Sequence, residues 1–153
     1  MLDLADAFTQ INQALSSSEN DMYRYSRAAR YRRQIAINRA QMFIKGDDDS
    51  HAVDILRQNV KFCEQAAPDY LPEALGELSL SEYRAHEYQH AAKHAFLSLN
   101  QLRYIGAVSA IHSVRKVLIA SLACMELTEE AHSLAASFNM DPLGLRISAS
   151  SLS

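Results

Sequence analysis

Three histidines spaced four residues apart are the side chains of this sequence best suited to chemistry. His86, His90 and His94 fall on one face of an α-helix, because residues four apart are neighbours on a helix surface. Two imidazoles at that spacing can share a zinc ion. A polar, solvated helix face beside a turn would have the same composition. We therefore treat the three histidines as candidate metal ligands, but expect no resident metal or other cofactor.

Two Glu-x-x-His segments, Glu87 to His90 and Glu129 to His132, could supply further ligands. Ferritin-like di-iron bundles use two such motifs and one additional carboxylate from each of two other helices. Residues 91–125 contain no Asp or Glu, so a helix between the two motifs cannot supply a carboxylate. The sequence therefore argues against a di-iron centre.

A second group of candidate residues mixes bases with aromatics. Residues 22–45 hold seven Lys or Arg and no acid, although the whole chain has a formal net charge of −3. Arg and Tyr together suit single-stranded nucleic acid, with Arg on phosphates and Tyr stacked on bases. At about 100° per residue, however, the arginines spread around the helix, which favours salt bridges within the chain or to a protein partner. The candidate partner-binding residues are Arg24, Arg27, Arg30, Arg32, Arg33, Tyr83 and Tyr88.

Helices must position these groups, because Gly and Pro are scarce and no segment alternates apolar and polar residues as a strand does. We expect Asp49 or Ser50 to cap one helix and Thr128 to cap the last. The stretch 104–125 is apolar nearly all round, which predicts a buried core helix, with an oligomer interface as the alternative. The predicted helices cover residues 3–15, 21–45, 51–66, 72–85, 87–100, 103–125 and 129–139.

A short phrase recurs three times: a helix ends, a polar turn follows, and the next helix opens around an alanine. The anchor alanines are Ala52, Ala91 and Ala131, at intervals of 39 and 40 residues. A fixed interval of this size predicts repeated helical hairpins. Positions four after, eight before and twelve before each alanine should line the hairpin seams, since residues four apart share a helix face. These positions are Leu56, Ala95, Ala135, Ile44, Tyr83, Ala123, Ala40, Ser79 and Ile119.

The predicted fold is therefore all-α, with about six or seven helices in stacked antiparallel hairpins and a single domain over residues 1–153. Residues 1–20 would form an N-terminal helix and linker, residues 21–142 the hairpins, and residues 143–153 a tail. Two cysteines make no disulfide framework, so buried thiols are expected. No signal peptide or bilayer-length apolar run is evident, which predicts a cytoplasmic protein with no membrane span.

The middle hairpin resembles the tetratricopeptide family. Its matching residues fall where that motif places its large and small packing side chains, and they are Leu75, Leu78, Ser79, Tyr88, Ala91, Ala95 and Ser98. The resemblance extends over residues 36–139. It implies stacked helix pairs that present a groove or face to a protein partner.

A second resemblance rests on three segments in a fixed order after the basic helix. Lys45-Gly46-Asp47, Glu87-Tyr88-Gln89-His90-Ala91 and Asp141-Pro142-Leu143-Gly144-Leu145-Arg146 are similar to segments of translin-like nucleic-acid-binding proteins. The catalytic branch of that family has a second Glu where His90 stands. The resemblance therefore implies binding of nucleic acid without cleavage.

Three functional hypotheses follow from these residues. The first is a non-enzymatic interaction or adaptor protein that binds a protein partner or self-assembles. The second is a single-stranded nucleic-acid-binding helical protein that uses the basic helix 24–33. The third is a metal-binding protein or nuclease that uses the three histidines.

Overall fold

The computed structural model describes the backbone of residues 22–138 and the side chains of residues 27–138. This part of the chain is helical throughout, without strands, which confirms the predicted all-α class. None of its helices is long and apolar enough to cross a bilayer. The predicted helix 3–15 and the tail 143–153 lie outside the described residues. The helices are α1 (Met22–Lys45), α2 (Asp49–Ala66), a 3₁₀ turn (Pro68–Tyr70), α3 (Leu71–Arg84), α4 (Tyr88–Ile105), α5 (Val108–Cys124) and α6 (Thr128–Ser137).

The chain forms two compact units, with the boundary between Asp69 and Tyr70. In the first unit, α1 packs against α2. The buried positions of α1 are alanines, whereas those of α2 include larger side chains such as Val53 and Leu56. Small residues on one helix and larger ones on the other allow close packing without voids.

In the second unit, α3 packs against α4, α4 against α5, and α5 against α6. Helix α3 also contacts α5, the equivalent helix of the next hairpin, as expected for stacked antiparallel hairpins. Gly76 of α3 lies where these helices approach closely, since a Cβ there would be 2.9 Å from Val114 Cγ2 and 3.3 Å from Ser98 Oγ. The hydroxyl of Ser98 donates a 2.7 Å hydrogen bond to the carbonyl of Pro72.

The three recurring turns have the same backbone conformation. Asp47, His86 and Glu126 occupy equivalent positions with φ of +58°, +63° and +64°. In each turn the next residue donates its N–H to a carbonyl five residues back: Asp48 to Phe43, Glu87 to Glu82 and Leu127 to Leu122, at 2.8, 2.8 and 3.0 Å. This is the Schellman helix ending, which satisfies carbonyls that a helix end leaves without a partner.

The anchor alanines follow directly from this turn. The residue after the left-handed one is also the N-cap of the next helix, and its carbonyl accepts the N–H of Ala52, Ala91 or Ala131. All three alanines are fully buried. The anchor alanines therefore recur at intervals of 39 and 40 residues because a turn that ends one helix and begins the next recurs at those intervals.

Two predicted caps are wrong. Asp48 caps α2, and its side chain accepts the N–H of His51, so neither Asp49 nor Ser50 has that role. Helix α6 begins at Thr128 itself, with Leu127 at the N-cap and no side-chain cap bond. The cause is the same in both places, because the residue directly after the left-handed one becomes the N-cap of the next helix.

The predicted helix over 103–125 is two elements. Gly106 adopts φ +73° and ends α4 at Ile105, and α5 begins at Val108. Tyr104, Ile105 and Val108 around this turn are 79, 57 and 77 % exposed, whereas the buried residues of α5 lie between Val114 and Ser121. The fully buried residues therefore lie in the second half of the apolar stretch, and Ala107, Ala110 and Ile111 in the first half pack against the core as partly buried residues.

Candidate functional site

Two carboxylates and an imidazole meet at the second turn. Glu82 lies in the last turn of α3, Glu87 is the N-cap of α4, and His90 is in the first turn of α4. One ligand atom from each lies within 4.8 Å of the other two. The backbone bond from Glu87 N–H to the Glu82 carbonyl ties the two glutamates together, because it is the Schellman bond of this turn.

Glu82 occupies a core position of α3. It follows Leu75, Leu78 and Ser79 at helical spacing on one face, and all four are buried. A carboxylate removed from water is costly unless it is paired and hydrogen-bonded. His94 provides such a bond, since its Nδ1 lies 2.6 Å from Glu82 Oε1 and its N–H can donate to the carboxylate.

The other side of the cluster is open to solvent. A cavity of about 410 Å³ is lined by residues of the second turn, including His86, Glu87 and His90, together with Met125. His86 Nδ1 lies 2.5 Å from the hydroxyl of Tyr88. The three predicted histidines thus have three different surroundings: His86 contacts Tyr88, His90 lies beside the two carboxylates, and His94 bonds Glu82.

Tyr83 and Tyr88 form the apolar support of this turn. Their rings lie 5.6 Å apart, and Tyr83 is only 4 % exposed, so it packs in the core instead of facing a partner. Burial raises the pKa of Tyr83 to about 12, and the sulfur of Cys124, 3.9 Å from its hydroxyl, contributes to this rise by disfavouring the phenolate. Burial also raises the pKa of Tyr88.

The two thiols differ in exposure. Cys63 is fully buried, as expected. Cys124 is exposed, so the prediction of a buried thiol is wrong there. Cys124 is the last residue of α5 and directly precedes the third Schellman ending.

The basic helix divides its arginines between two environments. Arg27 and Arg30 are exposed, whereas Arg32 and Arg33 are half-buried. The guanidinium of Arg32 stacks 3.8 Å from the ring centroid of Phe62 on α2, and burial lowers the pKa of Arg32. Arg27 donates a 3.4 Å hydrogen bond to the hydroxyl of Tyr31, which lowers the pKa of that phenol. The side chain of Arg24 lies outside the described residues.

A second cavity, of about 400 Å³, opens between α3 and α5. Glu73, Gly76, Glu77 and Leu80 line it from α3, and Ala110, Ser113, Val114, Lys116 and Val117 line it from α5. The lining is mainly apolar and includes the charged residues Glu73, Glu77 and Lys116. This groove lies between equivalent helices of successive hairpins, which is where helical repeats form extended binding surfaces.

Comparison with protein-family models, with curated proteins and with solved structures gives no match to this chain. The tetratricopeptide and translin resemblances therefore stay predictions.

Sequence reasoning missed Glu82, the one acid of the cluster that precedes the turn. The predicted ligands follow the spacing of a single helix, whereas the turn brings together Glu82 and Glu87, which are five residues apart at the ends of two helices. A signal was present in the sequence. An acid on a helix stripe that is otherwise apolar or small is an unusual occupant of a core position.

Proposed function

We propose that the chain is a non-enzymatic interaction module whose α3–α5 groove holds a peptide segment of a partner protein. The observation that carries the proposal is the groove itself, an apolar cavity between equivalent helices of successive hairpins. Pockets that bind ligands are concave and mostly apolar, with a few polar groups that fix orientation. The partner segment would insert an apolar side chain beside Gly76 and Leu80.

A peptide library displayed on phage tests this proposal without a known partner. Peptides would be selected on the wild-type chain and then measured against two variants of α5. Ser113→Trp fills the groove, because Ser113 is exposed and lines the cavity. His112→Trp adds the same ring one residue away, at an exposed position that does not line it. Selected peptides should lose binding to the first variant and keep it with the second. Peptides that bind both variants equally would contradict the proposal.

The exposed part of the basic helix supports a second candidate function, the binding of single-stranded nucleic acid. Tyr31 is 48 % exposed, and the guanidinium of Arg27 lies 5.6 Å from its ring centroid. An exposed aromatic ring among cations is suited to stacking on bases beside phosphates.

Fluorescence anisotropy with a labelled single-stranded oligonucleotide tests the second candidate. Affinity should fall steeply between about 50 and 200 mM salt, because neutralised phosphates release counterions. Tyr31→Ala with Arg30→Gln should weaken binding, whereas Lys61→Gln, an exposed cation on α2, serves as the control. Absence of binding at the lower salt concentration would exclude this function.

A further inference from the structure

We infer that Glu82, Glu87 and His90 form a binding site for a divalent first-row transition-metal ion. This goes beyond the proposed peptide-binding function and rests on different residues. Two carboxylates and one imidazole are ligands that zinc, manganese and iron(II) accept. All three belong to one turn and the helix ends that it joins.

The geometry is close to that of a bound ion. The three ligand atoms lie within 4.8 Å of one another, and ligand atoms around a tetrahedral zinc ion are about 3.4 Å apart. Side-chain rotation can close this difference, because Glu87 and His90 lie at the surface side of the cluster. The backbone needs no change, since the Schellman bond already holds Glu82 and Glu87 together.

The buried side of the site is organised as in known metal centres. Ligating carboxylates are themselves held by hydrogen bonds from a second layer of residues. His94 provides that bond, with its Nδ1 2.6 Å from Glu82 Oε1, and the side chain of His94 is only 21 % exposed. His94 is therefore a positioning residue for Glu82. The solvent-facing side, with its cavity beside Glu87 and His90, offers an entry path and room for water as a further ligand.

The other two turns explain why the site is specific to the second. The first turn also has an acid and a histidine, Asp48 and His51, at the positions of Glu87 and His90. Phe43 stands there in place of Glu82 and stacks on His51 with ring centroids 5.1 Å apart. The third turn has Leu122, Leu127 and Glu130 at the three positions. The chain therefore contains its own control site, with the same backbone and one ligand fewer.

Isothermal titration of the chelator-treated full chain with Zn²⁺ tests the site, and Co²⁺ absorption reports its coordination. Wild-type protein should bind one Zn²⁺ per chain. Glu82→Gln, Glu87→Gln and His90→Ala should each raise the Kd about 100-fold or more, and His94→Phe about 10- to 100-fold, as the loss of a second-layer partner does. His51→Ala and His132→Ala are matched controls that should bind as wild type does.

Several results would overturn the inference. The first is a wild-type chain that takes up no stoichiometric Zn²⁺, and the second is a His90→Ala chain that binds Zn²⁺ as tightly as wild type. The third is an equal loss of Zn²⁺ affinity in His51→Ala, which would assign the metal to surface histidines. Displacement of Zn²⁺ by an equal concentration of Mg²⁺ would contradict the choice of metal, because Mg²⁺ prefers all-oxygen octahedral sites. Circular dichroism of each variant separates lost binding from lost folding, and His90 is exposed, so its removal leaves the core intact.

Discussion

The first and second turns have the same backbone and different chemistry. Both place a non-glycine residue in the left-handed region and bond the next N–H to a carbonyl five residues back. At the first turn, Asp48 and His51 pair at 2.5 Å with side chains 40 and 65 % exposed. At the second, Glu82 is fully buried and bonded to His94. Hairpin packing therefore determines the turn, and one residue at the end of the preceding helix decides what the turn can bind.

An exchange of that one residue tests the comparison most strongly. Glu82→Phe should raise the Kd for Zn²⁺ at the second turn by about 100-fold or more, since loss of a ligand costs at least as much as loss of a second-layer partner. Phe43→Glu should give the first turn a third ligand and measurable Zn²⁺ binding, which we do not expect there in the wild-type protein. Glu82→Phe is titrated in the wild-type background, and titration of Phe43→Glu in a His90→Ala background identifies the first turn as the one that binds. No uptake by Phe43→Glu in that background would show that the shared backbone alone does not build the site.

The first and second hairpins each bury one polar side chain at the same position, and the two side chains should contribute differently to the free energy of unfolding. Asn59 and Ser98 each lie seven residues after an anchor alanine, and both are buried. Ser98 donates to Pro72, whereas neither amide atom of Asn59 has a hydrogen-bond partner in the described part of the chain.

Because a buried polar group without a partner costs about 1–3 kcal/mol, Asn59→Leu should stabilise the fold by an amount in that range. Ser98→Ala should instead destabilise it by about 1 kcal/mol. Urea unfolding of both variants measures the difference. A loss of stability in Asn59→Leu would mean that its amide is satisfied in solution.

Alkaline pH should affect the second hairpin through Tyr83, whose equivalent in the first is Ile44. The folded-state pKa of Tyr83 is raised to about 12 from the ordinary value of 10.0. Its stabilising contribution is therefore fully present below pH 10 and is lost as the pH rises toward 12. The free energy of unfolding should fall by about 1 kcal/mol more in wild type than in Tyr83→Phe by about pH 11. Parallel pH profiles of the two proteins would contradict the burial of this phenol.

The caps of α2 and α4 should show the smallest difference. Asp48 accepts the N–H of His51 at 3.3 Å, whereas Glu87 makes no side-chain cap bond. Asp48→Ala should cost about 1 kcal/mol of stability, and Glu87→Ala less than about 0.5 kcal/mol. Thermal unfolding in chelator compares the two without any contribution from metal. Equal losses would show that Glu87 supports its helix as well as the proposed site.

Most of the helices and their order along the chain could be predicted from the sequence, because the spacing of apolar residues indicates helices and the few Gly and Pro residues indicate where some of them end. The anchor alanines were also predictable, and their burial confirms that part of the repeat. The left-handed positions were not, because Asp47, His86 and Glu126 share no residue type and none is glycine. Gly106 was missed as a helix end because apolar residues continue on both sides of it. Glu82 could be placed beside His90 only once the turn was known.

The shared turn also makes the second unit extensible. Residues 86–125 begin with one left-handed residue and end just before the next, at Glu126. A tandem copy of this segment inserted after Met125 would meet the same ending and the same N-cap position at both junctions. Duplication of one continuous stretch of the gene would thus add a whole helical hairpin to the second unit.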